Sequence, residues 1–154
     1  MVSLLPEDIA DDLPVEEVST GNRILIIPVK DLAATGRANG NVNLLRNFFS
    51  NNDCIGPYLF TRQTVSSNAV VHTRFLAAHM GIPEDAATGS AAGPLTAYLL
   101  KYNLFGNKFE IENEQGLEMG RPSKILMHGE IEGDRYVIKT GGTCAYAGKG
   151  EFII

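Results

Sequence analysis

Residues 83–92, Pro83-Glu84-Asp85-Ala86-Ala87-Thr88-Gly89-Ser90-Ala91-Ala92, run a pair of carboxylates into a Gly/Ser turn that opens a nearly uncharged helical stretch. Peptide N–H groups at a helix N-terminus have no partner within the helix and sit at the positive end of its dipole, so they attract a carboxylate or phosphate. The N–H groups of Gly89, Ser90 and Ala91, with Thr88 leading into the turn, are therefore candidate binders of a substrate carboxylate or enolate oxygen. Gly89 lets the backbone approach closely. Asp85 is a candidate acid, or orienter of a substrate amine, and the Ser90 hydroxyl can donate to the same oxygen or relay a proton. The same residue types also cap helices in any protein, so spacing alone leaves both readings of Asp85 and Ser90 open. Glu84 is expected to be solvated, because adjacent carboxylates cannot both face one small pocket cheaply.

Other reactive side chains offer less. Cys54, in an Asn/Asp/Gly-rich loop, and Cys144 lack the paired spacing of a zinc or redox motif and read as reduced thiols. No cysteine lies in the glycine turn, so thiol catalysis there is not expected. His72, His79 and His128 have no metal-ligand spacing and are expected at the surface or core edge; no metal site is expected. Arg121 follows a glycine at a turn and is expected to pair with a carbonyl or nearby acid. Gly36-Arg37-Ala38-Asn39-Gly40 lacks the P-loop lysine and serine spacing and is expected to be a loop.

The elements that must position the turn alternate along the chain. Residues 1–17 are acidic and broken by Pro6 and Pro14, and read as a short entry segment. Residues 24–29 form a wholly apolar strand candidate, with Pro28 suggesting an edge or strand end. Residues 41–50 carry Val42, Leu45, Phe48 and Phe49 at helical spacing, which predicts a surface helix with one buried face. Strands are expected at 58–64 and 69–75, the second half-buried, with Val71, Thr73 and Phe75 alternating against Val70, His72 and Arg74. Residues 92–104 carry one charge, Lys101, so this helix belongs inside. Pro94 should fall in its first turn, placing its start no earlier than about Ala91. Strands follow at 108–114, 124–130, 136–140, 143–147 and 151–154, separated by turn-formers such as Glu132-Gly133-Asp134. The economical architecture is α+β: a curled, mostly antiparallel sheet wrapped around one central buried helix, with a surface helix outside.

The chain has 154 residues, 44% of them apolar, enough for one domain with a real core. Its thirteen basic residues are scattered and its net charge is -5, which argues against nucleic acid as a partner. No run approaches the roughly 18 apolar residues that span a bilayer, and residues 1–8 lack the basic segment of a signal peptide. No membrane association and a cytoplasmic location are expected.

The stretch Glu84-Asp85-Ala86-Ala87-Thr88-Gly89-Ser90-Ala91 resembles the E-D-P-x-T-G-S-A signature of phenazine-biosynthesis PhzF-like isomerases, which share the diaminopimelate-epimerase fold. Val18-Ser19-Thr20-Gly21 before an apolar strand, Arg74-Phe75, Gln115-Gly116-Leu117-Glu118-Met119-Gly120-Arg121-Pro122-Ser123 and Gly141-Gly142-Thr143 are similar to that family's C-terminal half, in order. Ala86 replaces the family's usual proline, and Ala77-Ala78 stand where an alanine-proline step is common. The resemblance implies a diaminopimelate-epimerase-like half, with residues 18–154 as a single PhzF-like C-terminal lobe. It implies an isomerase or epimerase that moves a proton on a small carboxylate-bearing metabolite without cofactor, with Asp85 and Ser90 catalytic and Thr88, Gly89, Ser90 and Ala91 binding substrate. Family members have two similar lobes with the site between them. The first lobe, with its glutamate base, is not matched here. A homodimer or a first-lobe partner is therefore expected, and the 154 residues alone are expected to have little activity. A non-catalytic remnant, an anion-binding module or a truncated gene product is the alternative.

Overall fold

A computed structural model of the chain describes residues 1–50 and 53–153. Seven strands form one sheet in sequential order: β1 (Glu16–Ser19), β2 (Arg23–Pro28), β3 (Cys54–Thr61), β4 (Ala69–Phe75), β5 (Lys108–Gln115), β6 (Ser123–Glu132) and β7 (Arg135–Gly141). Pairings β1/β2, β3/β4, β5/β6 and β6/β7 are antiparallel, whereas β2/β3 and β4/β5 are parallel. The sheet is thus mostly antiparallel, as expected, and mixed through its two parallel pairings. Each parallel pair needs a long crossover, and helices α1 (Leu32–Arg37) and α2 (Val42–Phe49) occupy the first while α3 (Gly89–Lys101) occupies the second.

Helix α3 packs against β1 and β2 at one end of the strand order and β6 and β7 at the other. Strands at opposite ends can touch one helix only if the sheet curls around it, giving an α+β half-barrel. Every residue from Ala91 to Leu100 is buried, as the almost uncharged sequence requires. Small residues let the helix come close: a Cβ on Gly93 would lie 2.7 Å from the Thr20 hydroxyl oxygen in the β1–β2 turn. Ile24, Ile26, Tyr58, Phe60, Leu95 and Leu99 form the centre of this core.

The opposite face of the sheet is also covered. Leu25, Ile27 and Leu59 pack there against Ala34, Leu45 and Phe49 of α1 and α2. Strand β4 is for this reason buried on both faces and not half-buried, and its His72 and Arg74 are interior residues. Val2 joins this second core, and β1 starts at Glu16, so residues 1–17 are woven into the fold. In α2 only Leu45 and Phe49 are buried; Val42 and Phe48, expected on the inner face, are exposed.

Three local expectations are corrected. Helix α3 begins at Gly89, which puts Pro94 in its second turn. The proline withholds a bond from the Ser90 carbonyl, at an exposed helix end where water can substitute. Cys54 opens β3 and is buried rather than lying in a loop, and burial raises its thiol pKa. Residues 143–147 and 151–153 form no strand, because strand propensity needs a neighbouring ladder and they leave the sheet after β7. Ile154, the end of that expected strand, lies outside the described residues.

Candidate functional site

The acidic loop between β4 and α3 is held from behind by side chains on the central strands. The Asp85 N–H donates to the Phe75 carbonyl (3.1 Å), laying the loop along the end of β4. A chain of side-chain hydrogen bonds then runs through the interior in one direction. Asn113 Nδ2 donates to the Tyr58 hydroxyl (3.0 Å), which donates to Gln115 Oε1 (2.8 Å). Gln115 Nε2 donates to Thr88 Oγ1 (2.9 Å), whose hydroxyl donates to Asp85 Oδ2 (2.8 Å). Gln115 also holds the loop backbone, donating to the Asp85 carbonyl (2.7 Å) and accepting from the Thr88 N–H (3.3 Å). Tyr58, Asn113 and Gln115 are fully buried, so each donor and acceptor needs its partner, and together they fix one carboxyl orientation. Burial pushes the Tyr58 phenol well above its ordinary range, against the opposing hydrogen bonds to Thr73 and Asn113, so it stays protonated to donate.

Neither Asp85 nor Ser90 caps α3. The N-cap is Thr88, with no side-chain cap, and its carbonyl accepts from the N–H groups of Ala91 and Ala92 (both 3.1 Å). Among the described residues the N–H groups of Gly89 and Ser90 have no partner, and both residues are exposed. The open donors are therefore those of Gly89 and Ser90, while Ala91 is buried with its N–H committed. Gly89 stands between two hollows. A cleft of about 870 Å³ is bounded by Val65, Ala87, Leu117, Ile125 and Thr143, and a smaller one of about 370 Å³ by Thr20, Asn22, Ser90 and Ile138.

Glu84 is not solvated. It is buried and makes a two-pronged ion pair with Arg74, Nε to Oε1 at 2.8 Å and Nη2 to Oε2 at 2.7 Å. The adjacent carboxylates take different partners, Arg74 for Glu84 and Thr88 for Asp85, which resolves the crowding that the sequence suggested. Arg74 spends its remaining nitrogen on the carbonyls of Thr35 (2.8 Å) and Ala38 (2.9 Å) at the end of α1. One buried guanidinium thus ties the acidic loop, β4 and α1 together. By contrast, among the described residues the exposed Arg121 side chain makes no ion pair.

His72 departs furthest from expectation. It is 1% exposed, with Nδ1 2.9 Å from Glu114 Oε1 and Nε2 2.8 Å from Glu118 Oε1. Glu114 also accepts from the N–H groups of Val65 (2.7 Å) and Ser66 (2.9 Å). Burial pulls the imidazole pKa down, but the bonds to Glu118 and Glu114 outweigh it and hold His72 above the ordinary 6.5. Burial raises Glu114 and Glu118, and the backbone N–H groups and His72 reverse this, leaving both below the ordinary 4.5. The histidine's contribution to stability is complete below pH 6.5 and is lost as pH rises through its raised folded value. The carboxylates' contribution is complete above pH 4.5 and is lost as pH falls through their lowered values. Thermal melts are expected to peak between these limits, with the alkaline decline reduced in His72→Gln. His79 and His128 lie where expected: one stacks on Phe49 at 5.1 Å, the other sits beside Glu110 at the surface.

Glu118, Gln115 and Tyr58 are residues that local sequence reading passes over, and His72 is one that it places at the surface or core edge when it is buried. Their partners are distant in sequence, and the one available signal was a polar pair, Asn113 and Gln115, alternating on a strand otherwise destined for the core. Among the described residues no group of His, Cys, Asp and Glu is arranged to hold a metal ion, and no helix is long and apolar enough to cross a membrane.

The mixed half-barrel has known counterparts. A phenazine biosynthesis protein of the PhzF family from Bacillus anthracis superposes with a TM-score of 0.82 at 26% identity, over 92% of this chain and 49% of that one. A trans-2,3-dihydro-3-hydroxyanthranilate isomerase of Pseudomonas aeruginosa is 30% identical over 87% of this chain and 46% of its own length. An uncharacterized isomerase of Clostridium acetobutylicum is 29% identical over 96% of this chain and 50% of its own. The chain spans about half the length of the curated relatives it matches. With the phenazine biosynthesis-like protein pattern matching residues 2–150, almost the whole described fold, the chain belongs to the phenazine biosynthesis-like (PhzF) family, whose named members include isomerases.

Proposed function

We propose that this chain contributes one side of the active site of a cofactor-independent isomerase or epimerase that moves a proton on a small carboxylate-bearing metabolite in a cytoplasmic biosynthetic pathway. The observation that carries the reading is the one-way hydrogen-bond chain that ends on Asp85, three residues ahead of the Thr88–Ala91 turn and its unpartnered N–H groups. Such a chain fixes an acid where a bound anion presents its reacting carbon. In this reading the N–H groups of Gly89 and Ser90 and the Ser90 hydroxyl hold the substrate carboxylate, with Thr88 and Ala91 shaping the turn. Asp85 delivers or receives the proton through Oδ1, the oxygen that Thr88 leaves open. The opposing base faces the turn from across the site, supplied by a first-lobe partner or by a second copy of the chain.

Two measurements separate the parts of this reading. Titrating small carboxylates into the chain should shift the Gly89 and Ser90 amide resonances, and no shift there would remove the binding role. In deuterated water the chain alone should exchange little or no carbon-bound hydrogen on those ligands, and a matching first-lobe polypeptide should raise the rate. Asp85→Asn should then lower it by about 10²–10⁴-fold. Binding without exchange under every pairing would leave an anion-binding module.

The turn also offers a substitution that spares the fold. A Cβ on Gly89 meets nothing within 4 Å, and the position needs no left-handed backbone. Gly89→Ala should keep or raise stability, by up to about 1 kcal/mol, while its methyl group takes ligand space and weakens carboxylate binding. Equal affinity for wild type and variant would move the anion site elsewhere.

A further inference from the structure

The mutual placement of β4, β5 and the turn that follows β5 carries a consequence for the cleft beyond the proton-transfer reading. His72 and Glu114 are side by side in register on β4 and β5, and Glu118 lies in the turn closed by the bonds Gly120 N–H to Leu117 O (3.0 Å) and Arg121 N–H to Gly116 O (2.9 Å). That turn backs onto the acidic loop. A Cβ on Gly116 would be 2.8 Å from the Ala86 carbonyl oxygen, so the two backbones are in contact one residue from Asp85. Leu117 of the same turn forms a wall of the 870 Å³ cleft, as do Val65 and Ser66, whose N–H groups Glu114 holds. His72 therefore joins two parts of the cleft's lining, the Val65–Ser66 loop and the Leu117 turn, through its two carboxylates.

Both ring nitrogens face carboxylate oxygens, which when ionised can only accept. Two good hydrogen bonds therefore require two ring protons, the imidazolium. A neutral ring would turn a lone pair toward one carboxylate. Glu114 is buried and held by two backbone N–H groups. Glu118, with its side chain 21% exposed, has beyond His72 its own backbone N–H and, among the described residues, the Arg74 Nε at 3.9 Å, and Arg74 is already paired with Glu84. Glu118 is thus the partner that departs. The charged groups facing the imidazole and its partners are Glu114 from β5, Glu118 from the turn, Arg74 from β4 and Glu84 from the acidic loop; the Val65–Ser66 loop offers only N–H groups.

We propose that His72 is a positioning residue: as an imidazolium bridging Glu114 and Glu118 it clamps the 116–121 turn beneath the Asp85 loop, and loss of its proton releases Glu118 and loosens the Leu117 wall of the cleft. The clamp concerns the shape of the cleft, so failure of the proton-transfer reading leaves it standing.

The test follows the His72 ring resonances by NMR, with His79 and His128 as references, alongside hydrogen-exchange protection of the 117–120 amides across the same pH range. In the wild-type chain the ring should titrate above 6.5, and protection of the turn should fall at the same midpoint while that of β2 stays constant. Glu118→Gln removes one charge with little change in volume and leaves the fold in place, since its side chain lies at the surface side of the pair. It should lower the ring midpoint by about one unit or more, and the loosening of the turn should move with it. Protection that ignores the ring midpoint in either protein, a midpoint unmoved by Glu118→Gln, or a wild-type midpoint below 6.5 would each overturn the clamp.

Discussion

Arg74→Met is expected to destabilise the fold by about 3–5 kcal/mol, the cost of removing one partner from a buried ion pair. The size follows from what the guanidinium leaves behind. Glu84 would keep its charge in a site where neither partner's side chain is more than 9% exposed. The carbonyls of Thr35 and Ala38 would lose their donor in the same step. Urea unfolding at neutral pH measures the loss, and an unchanged m-value would show that it comes from the native state. Arg74→Met combined with Glu84→Gln should recover much of it, because the stranded charge is gone. Recovery should stay incomplete, since each buried unpaired carbonyl still costs about 1–3 kcal/mol. If Arg74→Met alone costs less than about 1 kcal/mol, the level of an exposed pair, the guanidinium does not hold the acidic loop to β4 and α1.

Arg74 also shows where sequence reading stops. Its strand was legible to the residue, because Ala69–Phe75 alternates between apolar and polar types. That alternation normally means one wet face. Here the second face is covered by α1 and α2, and α1 escaped notice because six residues that include Gly36 present too little periodicity. A signal existed in Asp31, whose carboxylate caps the helix by accepting from the Ala34 N–H (2.7 Å). With α1 unseen, His72 and Arg74 had no reason to be interior, and Glu84 had no visible counter-ion.

The turn and α3 were legible because their signals are local: a helix start, a glycine and a long uncharged run. The brace behind Asp85 was not. Gln115 reaches Thr88 across 27 residues and the Asp85 carbonyl across 30, and no periodicity reports a contact that depends on how the β4/β5 crossover returns. Resemblance flagged Gln115-Gly116 as part of a motif without saying why those types were needed. The structure supplies the reasons separately: the amide orients the acidic loop, and the glycine lets the next turn touch it.

Gly116→Ala should accordingly be among the most damaging single-methyl changes in the chain, and Gly120→Ala supplies its control. Both glycines sit at positive φ, 80° and 66°, where an alanine costs roughly 1–2 kcal/mol from backbone conformation alone. A Cβ at Gly120 meets nothing within 4 Å, so its cost should stop there. At Gly116 the same atom would lie 2.4 Å from the Arg121 carbonyl oxygen and 2.8 Å from that of Ala86. Backbone oxygens cannot swing aside as a side-chain end can, so the turn must part from the acidic loop, adding overpacking strain of about 1–3 kcal/mol. Denaturant melts should therefore rank Gly116→Ala well below Gly120→Ala. The displacement should also reach Asp85 through Ala86, so amide shifts on forming Gly116→Ala should spread to residues 85–90, whereas those for Gly120→Ala should stay within 117–122. Equal costs for the two variants, or shifts that never leave the turn, would show that Gly116 does not set the distance between the β5–β6 turn and the acid.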